Sequence, residues 1–286
     1  MDRRKFLTKT AQASALLAVM PNMSFANANF SNGVFKDFGI QLWTLRDVIE
    51  GNFKNTIGEV AKMGYTQIES FEGKEGIFWG MKPKDFKSFL NDNGLQFVST
   101  HCDWKTDLAR KADEVASIGG KYIICPWLGP QKSIDDFKRF TDEFNTAGAI
   151  CKKAGIKFAY HNHDYSFKEL DGQIPQQLMM DGTSADLVDF EMDIYWVVTA
   201  GIDPIDYMKK YENRFKLCHI KDRLKNTEEA FASCTLGEGK INYHSILQQA
   251  KKLNMEYFIY EQEKYSDKGV LFDAAQSAAY LKKMQK

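Results

Sequence analysis

Eight short apolar runs, each followed by a longer polar or amphipathic stretch, constrain this chain more than any other feature. They fall at 38–43, 67–70, 96–100, 122–126, 157–161, 187–192, 216–220 and 257–261. The runs are strand-length and near-continuously apolar, the pattern of strands buried on both faces of a parallel sheet. Between them, apolar residues recur at three- and four-residue spacing over 55–63, 84–93, 108–118, 134–153, 205–210, 243–253 and 272–284, which predicts helices. Glycines at Gly64, Gly94, Gly119 and Gly155 mark helix ends just before strands. Eight strand–helix units without a break in composition predict an α/β chain folded as a single (β/α)8 TIM barrel, and 286 residues suit that fold.

Lys+Arg 38 balances Asp+Glu 38, so the chain carries no positive excess with which to hold a polyanion, and no nucleic-acid partner is expected. The five cysteines, Cys102, Cys125, Cys151, Cys218 and Cys234, are scattered without C-x-x-C spacing and read as free, buried thiols. At the start, Arg3-Arg4-Lys5-Phe6-Leu7 precedes a mildly apolar run at 11–20 and then Ala26-Asn27-Ala28. This order predicts a twin-arginine-like export signal over residues 1–28, a barrel over 29–286 and a periplasmic location. The apolar run is too short for the ~20 residues that span a bilayer, so no stable membrane insertion is expected.

In a barrel of this kind the active site forms where strands end, and polar side chains that terminate apolar strands are the informative ones. They accumulate here: Glu69 on strand two, His101 on three, His161-Asn162-His163 on five, Glu191-Met192-Asp193 on six, His219-Ile220-Lys221 on seven and Glu261-Gln262-Glu263 on eight. Strand alternation puts His161 with His163, Glu191 with Asp193, and His219 with Lys221 on common faces. Imidazoles mixed with carboxylates suit a divalent metal ion such as Mn²⁺, Co²⁺, Zn²⁺ or Fe²⁺ better than an all-oxygen or thiolate site. Trp43 and Trp127 are candidate sugar-stacking aromatics, and Glu191 a candidate substrate contact. Gly237-Glu238-Gly239 reads as a turn, since the Lys-Ser/Thr of a phosphate-binding loop is missing, and no G-x-S-x-G elbow is present.

At Gly39-Ile40-Gln41-Leu42-Trp43, Gly64-Tyr65, Ile68-Glu69, Ala154-Gly155-Ile156-Lys157, Asp193, His219-Ile220-Lys221-Asp222 and Glu261 the chain resembles the sugar phosphate isomerase/epimerase family with the xylose-isomerase-like TIM barrel. That family also includes metal-dependent endonucleases of abasic DNA. The resemblance covers roughly residues 38–284. It implies one divalent metal held by Glu, Asp, His and Glu from strands five to eight, with acidic residues shuttling a proton on the sugar. Asp193, His219 and Glu261 match three of these positions, and His161 stands where the family carries glutamate.

The implied ligand set is therefore His161, Asp193, His219 and Glu261, with His163, Lys221, Glu69 and His101 as candidate acid–base residues. The expected activity is metal-dependent isomerisation or epimerisation of a non-phosphorylated sugar by proton abstraction next to a carbonyl. Losing the strand-five glutamate widens this to a lyase or hydratase of 3-keto-sugars or their glycosides. A catalytically inactive sugar-binding barrel is a further alternative. The expected partner is a small sugar or glycoside, and self-association is left open.

Overall fold

The computed structural model describes residues 33–285, and the expected export signal at 1–28 lies outside them. Eight parallel strands close a barrel: β1 (Gly39–Gln41), β2 (Gln67–Phe71), β3 (Gln96–His101), β4 (Tyr122–Cys125), β5 (Lys157–His161), β6 (Val188–Asp193), β7 (Phe215–Ile220) and β10 (Tyr257–Tyr260). β10 pairs with both β7 and β1, which completes the ring. The remaining two strands, β8 (Asp222–Arg223) and β9 (Ser233–Cys234), form a small antiparallel ribbon in the excursion after β7. All eight expected strands are present. The first is shorter than the apolar run, because the chain leaves the ladder after Gln41 into a 3-10 turn over Leu42–Leu45 that carries Trp43 to the surface.

Alternation along each strand sorts the core into two compartments. Outward side chains such as Ile68, Ile123, Phe158, Tyr160, Phe190 and Cys218 pack beneath the helices in one continuous apolar cluster. Inward ones build the barrel lumen, whose floor is a separate apolar layer of Tyr122, Ile124, Ala159 and Leu217. Above that floor the lumen turns polar. The register shifts at Ile68/Glu69 between β2 and β3 and at Phe190/Glu191 between β6 and β7, both at the height where Glu69 and Glu191 enter.

The expected helices are present within a few residues of their ends, and Gly64 and Gly155 cap two of them with φ of +94° and +85°. Periodicity misses several further helices, among them Pro175–Gly182 and Ile194–Thr199. The first is two turns long. The second, Ile-Tyr-Trp-Val-Val-Thr, has the apolar, β-branched composition of a strand, and it turns helical because Asp193 caps it by accepting from Trp196 N.

Gly148, within the helix Ile134–Ala154, allows close packing on the segment before β6: a Cβ there would lie 2.7 Å from Leu187 O and 2.8 Å from Leu187 Cβ. Gly148→Ala is expected to cost about 1–3 kcal/mol, since backbone rather than a flexible side chain must yield. Urea unfolding measures this, and an unchanged midpoint would contradict the packing. Among the described residues no helix is long and apolar enough to cross a membrane.

Candidate active site

The strand ends bring His161, Asp193, His219 and Glu261 together, with one donor atom from each lying within 4.8 Å of the others. All four are buried. His161 Nε2 faces Asp193 Oδ2 at 3.6 Å, and His219 Nδ1 stands 3.2 Å from Glu261 Oε2, within long hydrogen-bond reach. Donors on a tetrahedral ion with bonds of ~2.0–2.1 Å stand about 3.3 Å apart, so this spacing fits a metal set. Asp193 Oδ1 is committed to the helix cap, while Oδ2, although 2.9 Å from Lys221 Nζ, has no aligned hydrogen bond. A buried carboxylate oxygen left in this state suits a cation. Two imidazoles with two carboxylates match the chemistry of a first-row divalent ion.

A deeper group, His101, His161, Glu191 and His219, also lies within 4.8 Å. Its shortest contacts are different in kind: Glu191 Oε2 is 2.8 Å from His101 Nε2 and 2.9 Å from His161 Nδ1. Such distances belong to direct hydrogen bonds and leave no room for an ion between the partners. Glu69 belongs to the same layer. Its Oε1 meets His219 Nε2 at 2.6 Å, His101 Nε2 at 3.2 Å and Gln41 Nε2 at 2.8 Å, and its Oε2 accepts from Ser99 Oγ at 2.5 Å. Glu69, His101 and Glu191, singled out in sequence as acid–base or substrate residues, thus lie in a buried network under the donor set.

Burial and charge divide these groups. For Glu191, burial and the neighbouring Glu69 outweigh His219 and His101, pushing its carboxyl up to about 7. Burial opposes the charge of His101, but Glu69 and Glu191 prevail and raise it to about 9. His161 goes the other way: burial, then His219, His163 and His101, hold it well below the usual imidazole value despite the short contact with Glu191. That contact is therefore a hydrogen bond of an uncharged imidazole rather than an ion pair. Burial works against ionisation of Glu261, and the ammonium of Lys221 together with His219 overcomes it, so its carboxyl stays well below the ordinary range.

Lys221 is fully buried, with Nζ 2.9 Å from Asp193 Oδ2, 2.7 Å from Glu261 Oε2 and 3.2 Å from Glu263 Oε2. Burial alone would discharge it, and the three carboxylates keep it protonated. The ring of His163 lies against His161, Trp127, Tyr165 and Trp196. His163 Nδ1 is buried with no hydrogen-bond partner, and burial followed by Lys221 lowers its affinity for a proton. Trp196 touches both: its ring is 5.3 Å from the His163 ring and 5.4 Å from Lys221 Nζ.

The rim is aromatic and exposed: Trp127 is 52% accessible, Trp43 42% and Phe231 61%. Trp127 packs edge-on against His163, and Phe231 edge-on against Trp196. Phe231 belongs to the excursion after β7, and nothing in the local sequence marks it as a site residue. Asp222 fixes the far end of that excursion, accepting from the backbone N–H of Gly237, Gly239 and Ile241. A Cβ on Gly239 would lie 2.1 Å from Asp222 Oδ1, so Gly239→Ala should dislodge this loop. Limited proteolysis of 224–239 would report it, and a variant as resistant as the parent protein would argue against the clamp.

The geometry agrees with comparisons to known proteins. Residues 57–284 match the family described as the xylose isomerase-like TIM barrel. A sugar phosphate isomerase/epimerase from Parabacteroides distasonis superposes with a TM-score of 0.71 at 30% identity, covering 91% of this chain and 97% of the other. Inosose dehydratase from Clostridium perfringens is 32% identical over 117 residues, which is 41% of this chain and 36% of that enzyme; the match spans about a third of the relative's length. A protein solved with a bound zinc atom superposes with a TM-score of 0.68 over 86% of this chain and 96% of the other, and at 14% identity it shares the fold. A closed eight-stranded barrel, a donor set at its strand ends and a match over most of the chain make this protein a member of the xylose isomerase-like TIM barrel family.

Proposed function

We propose that this protein is a metal-dependent lyase that eliminates water or an alcohol from a non-phosphorylated keto-sugar or ketone of a cyclic polyol. The observation that carries this reading is a neutral base and a charged acid flanking one donor set: His163 Nδ1 is buried without a partner, and Lys221 is held as an ammonium by three carboxylates. His161, Asp193, His219 and Glu261 would hold the metal, which when bound polarises a carbonyl and acidifies the neighbouring C–H. His163 takes that proton through Nδ1. Lys221 gives a proton to the oxygen on the next carbon as its C–O bond breaks, so water or alcohol leaves and an enone remains. The aromatic rim, Trp43, Trp127 and Phe231, offers apolar faces for the C–H surface of a sugar ring. The part-length likeness to inosose dehydratase supports elimination.

Isomerisation or epimerisation is the second reading, favoured by the 30% identity to a sugar phosphate isomerase/epimerase. It shares the proton abstraction and differs in returning the proton to carbon. With His161 at the strand-five position, the site has one carboxylate fewer for a proton shuttle working from opposite faces of the sugar. Metal-loaded protein incubated in D₂O with inososes, 3-keto-sugars and their glycosides separates the two. Enone absorbance with release of water or aglycone is expected. Deuterium at the carbon beside the carbonyl without bond loss would favour the second reading, and no exchange on any substrate would overturn both.

A further inference from the structure

Each imidazole of the donor set has a second ring nitrogen, and a buried carboxylate meets it. His161 Nδ1 lies 2.9 Å from Glu191 Oε2, while its Nε2 is turned to Asp193. His219 is held in the opposite sense, with Nε2 2.6 Å from Glu69 Oε1 and Nδ1 turned to Glu261. Neither glutamate is free to relax. Ser99 and Gln41 hold Glu69, and His101 Nε2 joins the two carboxylates at 2.8 Å and 3.2 Å. Which nitrogen of a histidine takes a metal is decided by the hydrogen bond that the other makes.

We infer that Glu191 and Glu69 are positioning residues that direct metal coordination to Nε2 of His161 and to Nδ1 of His219. Strand six then has a double task, because it supplies one ligand, Asp193, and one pleat lower the carboxylate that aims the ligand of the adjacent strand. The register places His161 opposite Glu191, which makes that hand-over a property of the β5–β6 pairing. The inference rests on the donor set proposed above, and it makes a statement about individual nitrogens that holds whichever sugar is turned over.

The test uses the full protein labelled with ¹⁵N-histidine and loaded with ¹¹³Cd²⁺. Couplings to cadmium are expected at Nε2 of His161 and Nδ1 of His219; couplings at the opposite nitrogens would overturn the inference alone. Chelator competition for Zn²⁺ gives an independent readout. Glu191→Gln and Glu69→Gln should each weaken binding by about 10–100-fold, the usual cost of losing an outer carboxylate partner. Zinc affinity equal to that of the parent protein in both variants would overturn it. A parent protein that takes up neither cadmium nor zinc would overturn this inference and the proposed function together.

Discussion

Asp193→Asn is expected to leave the barrel folded while removing the metal and most of the activity. The two carboxylate oxygens have separate tasks. Oδ1 accepts from Trp196 N at the start of the helix Ile194–Thr199, and an asparagine carbonyl can make the same cap. Oδ2 faces His161 Nε2 and Lys221 Nζ, and an amide nitrogen there is a donor with no lone pair for an ion. Lewis-acid assistance contributes several kcal/mol to such reactions, so turnover should fall on the order of 10³-fold. Metal content by atomic emission, circular dichroism and turnover measured together check this. A variant that retains stoichiometric metal and full turnover would remove Asp193 from the donor set.

The second large effect concerns the base. His163→Gln should lower kcat by about 10²–10⁴-fold, the range for loss of a positioned general base, with zinc affinity and KM little changed. His163 packs against Trp127, Tyr165 and Trp196, so a side chain of comparable length fills much of its space. Its Nδ1 makes no hydrogen bond within the protein, which sets it apart from the other strand-end histidines, His101, His161 and His219, all tied to carboxylates. An unchanged kcat would remove His163 as the base. The split between kcat and metal affinity matters, because a histidine with a purely structural role would disturb both.

How far the chain announces this arrangement depends on the length scale of each signal. The eight strands are written in local composition, since a strand buried on both faces is a continuous apolar run and its end is a polar residue. The grouping of His161, Asp193, His219 and Glu261 follows from those ends once closure of the barrel is assumed. Depth is harder to read. Glu191 and Asp193 share a face of β6, and alternation alone ranks them equally, although two residues of strand rise, about 6.6 Å, separate them. Glu69 and His101 join Glu191 through side-chain contacts that no single strand shows, with a register shift at Ile68/Glu69 where Glu69 enters. Phe231 is legible only in three dimensions, because its place at the rim is set by the Asp222 clamp and the ribbon of β8 and β9.

The two oxygens of Asp193 bear on how such a site can change over evolutionary time. One caps the helix that carries Trp196, and the other belongs to the candidate donor set, so the length of this side chain is specified twice. A glutamate carries the same charge, yet one more methylene would shift either the cap or the ligand atom. Sequence drift at the rim, where Trp43, Trp127 and Phe231 are exposed, meets no such double constraint. Substrate preference can therefore diversify around a donor set whose own composition is held in place by the folding of the strand–helix junction beside it.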